Sequence, residues 1–237
     1  MKASYGSGVA PLAVLLGVVL FTAVPIQGSV LVNGSFESPV SDITPSLAVG
    51  STFLDGWAVI GAEIALCVEC ADFGSAGGGS ASEGRQSLDL TGYHDGLPYG
   101  GVHQVLATVP GQAYEVSFDV GARQGTSTVQ LFMGLPGQGG GWPFDPSVLL
   151  ASGSATSGGT EVVWKRASAS FVATELSTAI ALTGHGASWG GIFIGLDHVV
   201  VNPVPEPVST CLVLAFAGVA VTAVHRRRRL GSDKPVR

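Results

Sequence analysis

Strict alternation of apolar and polar side chains over 114–120 is the feature that most limits what this chain can fold into. Four apolar side chains, beginning at Tyr114 and ending at Val120, alternate with polar ones. Only a β-strand with one buried face has this period of two. The Pro110-Gly111 pair just before it is a strong turn signal. This segment therefore predicts a strand that lies half in a hydrophobic core.

Similar short runs recur along the chain, separated by glycine- and proline-rich turns, and none of them has convincing helical periodicity. About nine or ten strands are predicted, at 30–32, 56–60, 63–68, 86–90, 101–109, 114–120, 129–133, 162–172, 179–183 and 192–201. Many short strands without intervening helices favour an all-β fold, an antiparallel β-sandwich, over a βαβ arrangement.

The C-terminal tail has three parts with different physical roles. Val-Pro-Glu-Pro occupies 204–207, an apolar run follows at 208–224, and four arginines stand at 226–229. Prolines end regular structure, and an apolar run of this length can cross a bilayer core as a helix. Arginines stay on the cytoplasmic side. The tail therefore predicts a C-terminal transmembrane helix.

The order of these parts resembles the PEP-CTERM sorting signal of Gram-negative bacteria that secrete exopolysaccharide, with Pro205, Glu206 and Pro207 as its motif. The resemblance implies recognition by an exosortase, a membrane enzyme that cuts near the motif and removes the helix. The alternative is an ordinary tail anchor, which needs the same membrane but no sorting enzyme.

The N-terminus reads as a secretory signal. Lys2 precedes an apolar core at 12–24, as in a basic n-region followed by an h-region. We therefore predict a signal peptide at 1–28, a β-sandwich domain at 29–202 and a sorting tail at 203–237. An uncleaved signal anchor is the alternative for the N-terminal helix.

Charge narrows the choice of partners. Between the two apolar ends, the basic residues are Arg85, Arg123, Lys165 and Arg166, so the domain is acidic. Nucleic-acid binding needs clustered Lys and Arg, and it is therefore excluded as a function. Low charge with many small polar residues suits an extracellular β-domain.

Cys67 and Cys70 form a Cys-x-x-Cys pair, whereas the third cysteine, Cys211, lies in the apolar tail. In an oxidising compartment, a local disulfide that closes a turn is the favoured interpretation. A redox dithiol is disfavoured because no helix follows. Two reduced thiols remain the other alternative.

A second resemblance covers nearly all of 29–202. The motifs that carry it are Asn33-Gly34-Ser35-Phe36-Glu37, Gly56-Trp57, Glu83-Gly84, Ser87-Leu88-Asp89-Leu90, Gly92-Tyr93, Gln104, Phe118-Asp119-Val120-Gly121 and Gly195-Leu196-Asp197-His198-Val199. In this order they resemble the choice-of-anchor C family, which is related to plant cell-wall proteins with galactose-binding-like domains. The resemblance implies a β-jelly roll of the carbohydrate-binding type.

In such a jelly roll the first and last strands pair, which brings Glu37 close to Asp197. Carbohydrate-binding jelly rolls often hold a structural calcium there, and calcium binds carboxylate and carbonyl oxygens. Glu37 and Asp197 are therefore the candidate ligands of a structural calcium ion, the one cofactor that the resemblance suggests. The alternative is that Glu37 bonds a loop and Asp197 caps a turn or faces solvent.

Aromatic side chains in loops are candidates for stacking against sugar rings. Tyr99, Trp142, Phe144 and Trp189 are the predicted ligand-binding residues. For Trp142, ligand binding and plain loop packing are both open. Trp57 and Trp164 lie within strand patterns and are predicted to be core residues.

Residues 186–190 match G-x-S-x-G, and Asp197 and His198 follow in the order of a catalytic triad. A nucleophile elbow needs a helix after the serine, but a strand is predicted here. Adjacent residues of a regular strand also point to opposite faces. The match is therefore attributed to chance, and no catalytic residue is predicted.

Together these features predict an exported, surface-sorted, non-enzymatic protein of the extracellular matrix or biofilm that binds polysaccharide. Its expected partners are an exosortase, the secretion machinery, extracellular polysaccharide and, before processing, the inner membrane. The alternatives are a purely structural or adhesive protein and, less favoured, a matrix glycan hydrolase.

Overall fold

The computed structural model describes residues 29–69, 81–93, 97–134, 148–186 and 193–205, and the regular structure in these ranges is β-strand. The strands are β1 (Ser46–Leu47), β2 (Ala58–Ile60), β3 (Ile64–Val68), β4 (Gln86–Asp89), β5 (Gly101–Ala107), β6 (Ala113–Arg123), β7 (Gly125–Gly134), β8 (Val148–Ser157), β9 (Val163–Val172), β10 (Ser177–His185) and β11 (Phe193–Pro203).

The strands form two antiparallel sheets that face each other. One has the order β1-β3-β4-β11-β6-β9 and the other β2-β5-β10-β7-β8. From β4 onward, the chain places eight strands as β4-β11-β6-β9 against β5-β10-β7-β8, which is the strand order of a jelly roll. The predicted all-β sandwich and the jelly roll implied by the resemblance are both confirmed.

Strand β6 behaves as its alternation predicts. Tyr114, Val116, Phe118 and Val120 are buried in the core between the sheets, whereas Glu115 on the other face is exposed. Burying four large apolar side chains on one strand contributes several kcal/mol to folding. The pattern therefore fixes which face of the sheet meets the core.

The first segment lies beside the last strand, as expected, although it is not a regular strand at 30–32. The Val30 N–H donates to the Val201 carbonyl at 2.9 Å, and the Val199 N–H donates to the Gly34 carbonyl at 2.8 Å. Asn33 and Phe36 both have positive φ, which bends the segment away from strand geometry. The predicted strand at 30–32 is therefore wrong, but the predicted neighbourhood is confirmed.

Two tryptophans predicted to be core have different positions. Trp57 is buried, packs 5.5 Å from the Phe36 ring and donates its Nε1–H to the Asn33 carbonyl at 2.9 Å. Trp164 is only half-buried and packs edge-on against Phe193, at 6.2 Å, in a small cluster separate from the main core. The prediction is confirmed for Trp57 and wrong for Trp164.

Strand β8 was not predicted.

Several predicted features lie outside the described residues, namely the signal peptide at 1–28, Cys70, and the tail from Glu206 onward, including Pro207 and the apolar run. Pro205 is the last described residue. None of the described ranges contains a helix long and apolar enough to span a membrane.

Candidate functional site

Three charged side chains stand opposite one another across β11, β6 and β9 of the six-stranded sheet. Asp197 pairs with Asp119, and Asp119 pairs with Arg166. Arg166 donates to both oxygens of Asp119, from Nε to Oδ1 at 2.7 Å and from its terminal nitrogen to Oδ2 at 3.1 Å. Such a bidentate pair is a strong, geometrically specific contact.

The pKa values of the two aspartates shift in opposite directions in this arrangement. Burial, which dominates at Asp197, raises the pKa of that carboxyl to about 7, although backbone N–H groups of Glu83, His198 and Ser82 partly oppose the rise. Burial also raises the pKa of Asp119, but the hydrogen bonds from Arg166 and Ser82 outweigh it and leave that pKa below its usual value. Asp119 is therefore the more acidic of the two carboxyl groups.

A β-bulge directs His198 to the same cluster. The register between β11 and β6 shifts between Asp197 and Val200, and His198 has a φ of 49°. Its Nε2 lies 3.4 Å from Glu83 Oε2, and its Nδ1 lies 3.6 Å from Asp119 Oδ2. The expectation that Asp197 and His198 point to opposite faces is wrong, because the bulge breaks the strict alternation of a regular strand.

Both predicted metal ligands contact one short segment, 82–86. Asp197 Oδ2 accepts the Glu83 N–H at 2.8 Å. Glu37 Oε1 accepts the N–H groups of Arg85 and Gln86, both at 2.7 Å. Both carboxylates therefore bind the backbone of the same short segment.

This donor set fits calcium only in part. A calcium ion takes six to eight oxygen ligands, and Glu37 and Asp197 supply two carboxylates whose oxygens already accept N–H groups. Across the described ranges, no group of three or more His, Cys, Asp or Glu side chains could hold a metal ion. Calcium at Glu37 and Asp197 therefore stays a prediction.

Of the predicted aromatic ligands, only Tyr99 lies among the described residues. Its side chain is 8% exposed and belongs to the main core, and burial raises its pKa. The expectation that Tyr99 is exposed is wrong, because residues 99 and 100 already pack beneath the sheet, against Gly61 and Gly184. Trp142, Phe144 and Trp189 lie outside the described residues.

A pocket that the sequence did not reveal lies at the edge of the five-stranded sheet. It has a volume of about 270 Å³ and lies between residues of the segment 52–58 and His103 and Gln104 of β5. Its polar groups include Thr52, Asp55 and His103, and its apolar groups include Leu54 and Ala58. A concave, partly apolar surface with a few converging polar groups is the usual form of a small-molecule site.

Local bonds hold both walls of this pocket. Trp57 anchors the segment 52–58 to Asn33, and the Ser38 hydroxyl donates to the Asp55 carboxylate. On the other wall, Gln104 donates to the Val32 carbonyl at 2.9 Å and accepts the Val32 N–H at 2.8 Å. The pocket is therefore largely preformed, which lowers the entropic cost of binding.

His103 connects the pocket to the outer face of the sheet. It is opposite Ala58 of β2 and Ala181 of β10, and Ala181 is opposite Phe132 of β7. Burial lowers the pKa of His103, so the ring is neutral at pH 7, and its Nδ1 is shielded from solvent. A neutral imidazole forms hydrogen bonds with hydroxyl groups and repels neither cations nor anions.

His103 was not predicted as a site residue, because it belongs to no motif with the spacing of a metal or catalytic site. One feature of the sequence did indicate where the His103 side chain lies. His103 falls in a strand between Val102 and Gln104, so alternation places it on the face opposite the core. The partner segment 52–58 is 45–51 residues away from His103 in sequence, and no local pattern indicates that contact.

No protein-family model matches this chain, and no curated protein matches it. Solved structures with a similar arrangement include TmCBM61 in complex with β-1,4-galactotriose, at 16% identity and a TM-score of 0.41, which covers 75% of this chain and 100% of that one. Another is the CBM22-1 xylan-binding domain of Paenibacillus barcinonensis Xyn10C, at 17% identity and a TM-score of 0.38, which covers 70% of this chain and 95% of that one. A CBM4 structure is similar at 14% identity and a TM-score of 0.38. These low identities and TM-scores establish nothing further about this chain, whose fold is shown by its own strand order.

Proposed function

We propose that this protein is an exported, non-enzymatic surface protein that binds polysaccharide at the pocket between the segment 52–58 and His103. The observation that carries the proposal is the pocket itself, where a neutral imidazole and the Asp55 carboxylate lie beside apolar Ala58. A sugar presents hydroxyls that both donate and accept, and C–H faces that pack on apolar groups. The pocket offers both kinds of contact.

The pocket favours a neutral ligand over a strongly charged one. Asp55 is the acidic group that lines it, and His103 is uncharged at pH 7. An anionic polymer would meet a carboxylate without a balancing cation, whereas a neutral glycan can donate hydroxyl hydrogen bonds to it. The volume of about 270 Å³ lies just below the range of drug-sized sites, about 300–1,000 Å³. It suits one unit of a chain, with the rest of the chain outside.

A pair of matched histidine variants tests this site. His185, like His103, lies on a strand of the five-stranded sheet, but it is exposed and outside the pocket. We expect the purified protein to bind neutral glycans on an array, His103→Ala to weaken binding at least tenfold and His185→Ala to leave it unchanged. Equal loss in both variants, or loss in neither, would reject the pocket as the site.

Absence of any glycan binding by the wild-type protein would instead favour a purely structural or adhesive protein. A turnover assay on the same glycans separates binding from hydrolysis. We expect no release of product. The aromatic residues Trp142 and Phe144 stay predicted contacts, and the array with Trp142→Ala tests them independently of His103.

We also propose that the tail sorts the protein, on the support of Pro205, Glu206 and Pro207 followed by the apolar and basic segments. In the native host, intact-mass analysis should show a mature chain that begins near residue 29 and lacks the residues after about 207. A mature chain that still ends at Arg237 would leave the tail-anchor alternative in place.

A further inference from the structure

One end of the sandwich combines exposed apolar side chains with the point where the chain leaves the domain. Val109, Val172, Leu176 and Val204 form this surface, here called the exit face. Leu176 is 76% exposed, Val109 61% and Val172 57%. Large exposed apolar residues gathered at one place mark an interaction surface more often than residues scattered singly.

Backbone hydrogen bonds join the exit face into one unit. The turn at 108–112 is tied to the turn at 173–176, since Gly111 donates to the Ala173 carbonyl at 2.7 Å and Thr108 donates to the Leu176 carbonyl at 2.9 Å. Within both turns the only charged side chain is Glu175. The surface is therefore rigid, apolar and nearly uncharged.

The chain remains attached to this surface up to its last described residues. The Val204 N–H donates to the Ala113 carbonyl at 2.8 Å, and its carbonyl accepts a hydrogen bond from Gln112 Nε2 at 2.7 Å. From Val204 to the start of the apolar run at 208, an extended chain reaches at most about 14 Å. The headgroup layer on one side of a bilayer takes up about 5–8 Å of such a distance.

We propose that the exit face contacts the membrane surface in the uncut chain. This inference rests on the proposed membrane segment at 208–224, because that segment and the short tether fix which end of the domain faces the bilayer. The partner is the lipid interface itself, where valine and leucine side chains exchange water for the acyl boundary. The glycan pocket is a different surface and plays no part in this contact.

Photo-crosslinking to lipid tests the contact in the full chain. Benzoylphenylalanine replaces Leu176 or Val109 on the exit face, or Val163, which lies at the opposite end of β9 from Val172 and is 44% exposed. The chains are expressed in a host without the sorting enzyme and reconstituted into phosphatidylcholine vesicles that contain a labelled lipid. We expect the yield of labelled protein to be severalfold higher at 176 and 109 than at 163.

Equal yields at 176 and 163, or a higher yield at 163, would overturn the proposal. So would a chain that alkaline carbonate extracts from the vesicles, because the membrane segment itself would then be wrong. Glycan binding by the same chains is measured separately on the array. Failure of the pocket and failure of the exit face are therefore told apart.

Discussion

Asp197 shows how much of a residue's chemistry depends on groups that are distant in sequence. It is fully buried, and one of its oxygens accepts the backbone N–H of Glu83, 114 residues away. The Gly195-Leu196-Asp197 motif predicted that Asp197 lies in the last strand. It did not predict the hydrogen bond with Glu83. A buried carboxylate with satisfied oxygens holds a loop in place and is costly to remove.

At the residue scale, Asp119 should make the domain sensitive to acid. Hydrogen bonds from Arg166 and Ser82 outweigh burial and hold the pKa of Asp119 below its usual value. Because the folded-state pKa lies below the unfolded one, this stabilisation is present above pH about 4 and is lost as pH falls through the folded value. We expect Asp119→Asn to flatten the fall in unfolding free energy between pH about 5 and 2, as measured by urea denaturation.

The matched control for this prediction is Asp42→Asn, which changes an exposed carboxylate. It should keep the acid-dependent fall of the wild-type protein. A wild-type slope that survives in Asp119→Asn would show that other carboxylates cause the loss of stability.

At the scale of the element, β8 is a strand that the sequence pattern did not predict. Its sequence, Val-Leu-Leu-Ala-Ser-Gly-Ser-Ala-Thr-Ser, has small side chains where a buried face would normally show large apolar ones. Gly153 shows why the side chains are small, since a Cβ at that position would lie 2.6 Å from Ala167 Cβ of β9. The two edge strands approach too closely for large side chains, and without them no hydrophobic period is visible.

The same contact yields a prediction about packing. Gly153→Ala should destabilise the domain by about 1–3 kcal/mol, because the added methyl group forces the sheets apart at a tightly packed point. Gly158→Ala adds the same methyl group in open space, with nothing within 4 Å, and should change stability little. Urea midpoints that are equal for the two variants would refute the close contact.

A second prediction at this scale concerns the end of β3. Cys67 is fully buried, so labelling of the folded protein cannot distinguish a disulfide from a protected thiol. We expect Cys67 and Cys70 to resist alkylation in denaturant without reductant, and each to take up one alkyl group after reduction, as measured by peptide mass spectrometry. Alkylation of both without reductant would support the reduced alternative. A disulfide between Cys67 and Cys70 closes a tight loop, so its entropic gain is at the low end, on the order of 1–2 kcal/mol.

At the scale of the whole molecule, the sequence predicted the class of fold well and the ligand site poorly. Alternation in strands such as β6 and the turn signals between them are local, and they determine which faces are buried. The pocket depends on the meeting of the segment 52–58 with His103, and Tyr99 is buried by neighbours on other strands. Such contacts arise from topology, which periodicity within one strand does not encode.

Calcium remains a prediction about the whole domain, because Glu37 and Asp197 together hold the segment 82–86 against the sheet. If calcium binds there, a chelator should lower the melting temperature of the exported protein, and Asp197→Asn should remove that effect. Glu115→Gln, on an exposed face of β6, should retain it. Melting curves that coincide with calcium and with chelator would eliminate the metal and leave the sandwich unaffected.

The strand that unites the six-stranded sheet is also the last to be synthesised. β11 lies between β4 and β6 and bonds the first segment through Val201 and Gly34. Until it is available, β1-β3-β4 and β6-β9 have no shared neighbour, and closing them requires contacts that are distant in sequence and slow to form. A chain that passes N-terminus first through a narrow pore therefore cannot complete its core until residue 203 has emerged. If the chain is exported in this way, the order of the strands delays folding until translocation of the domain is nearly finished.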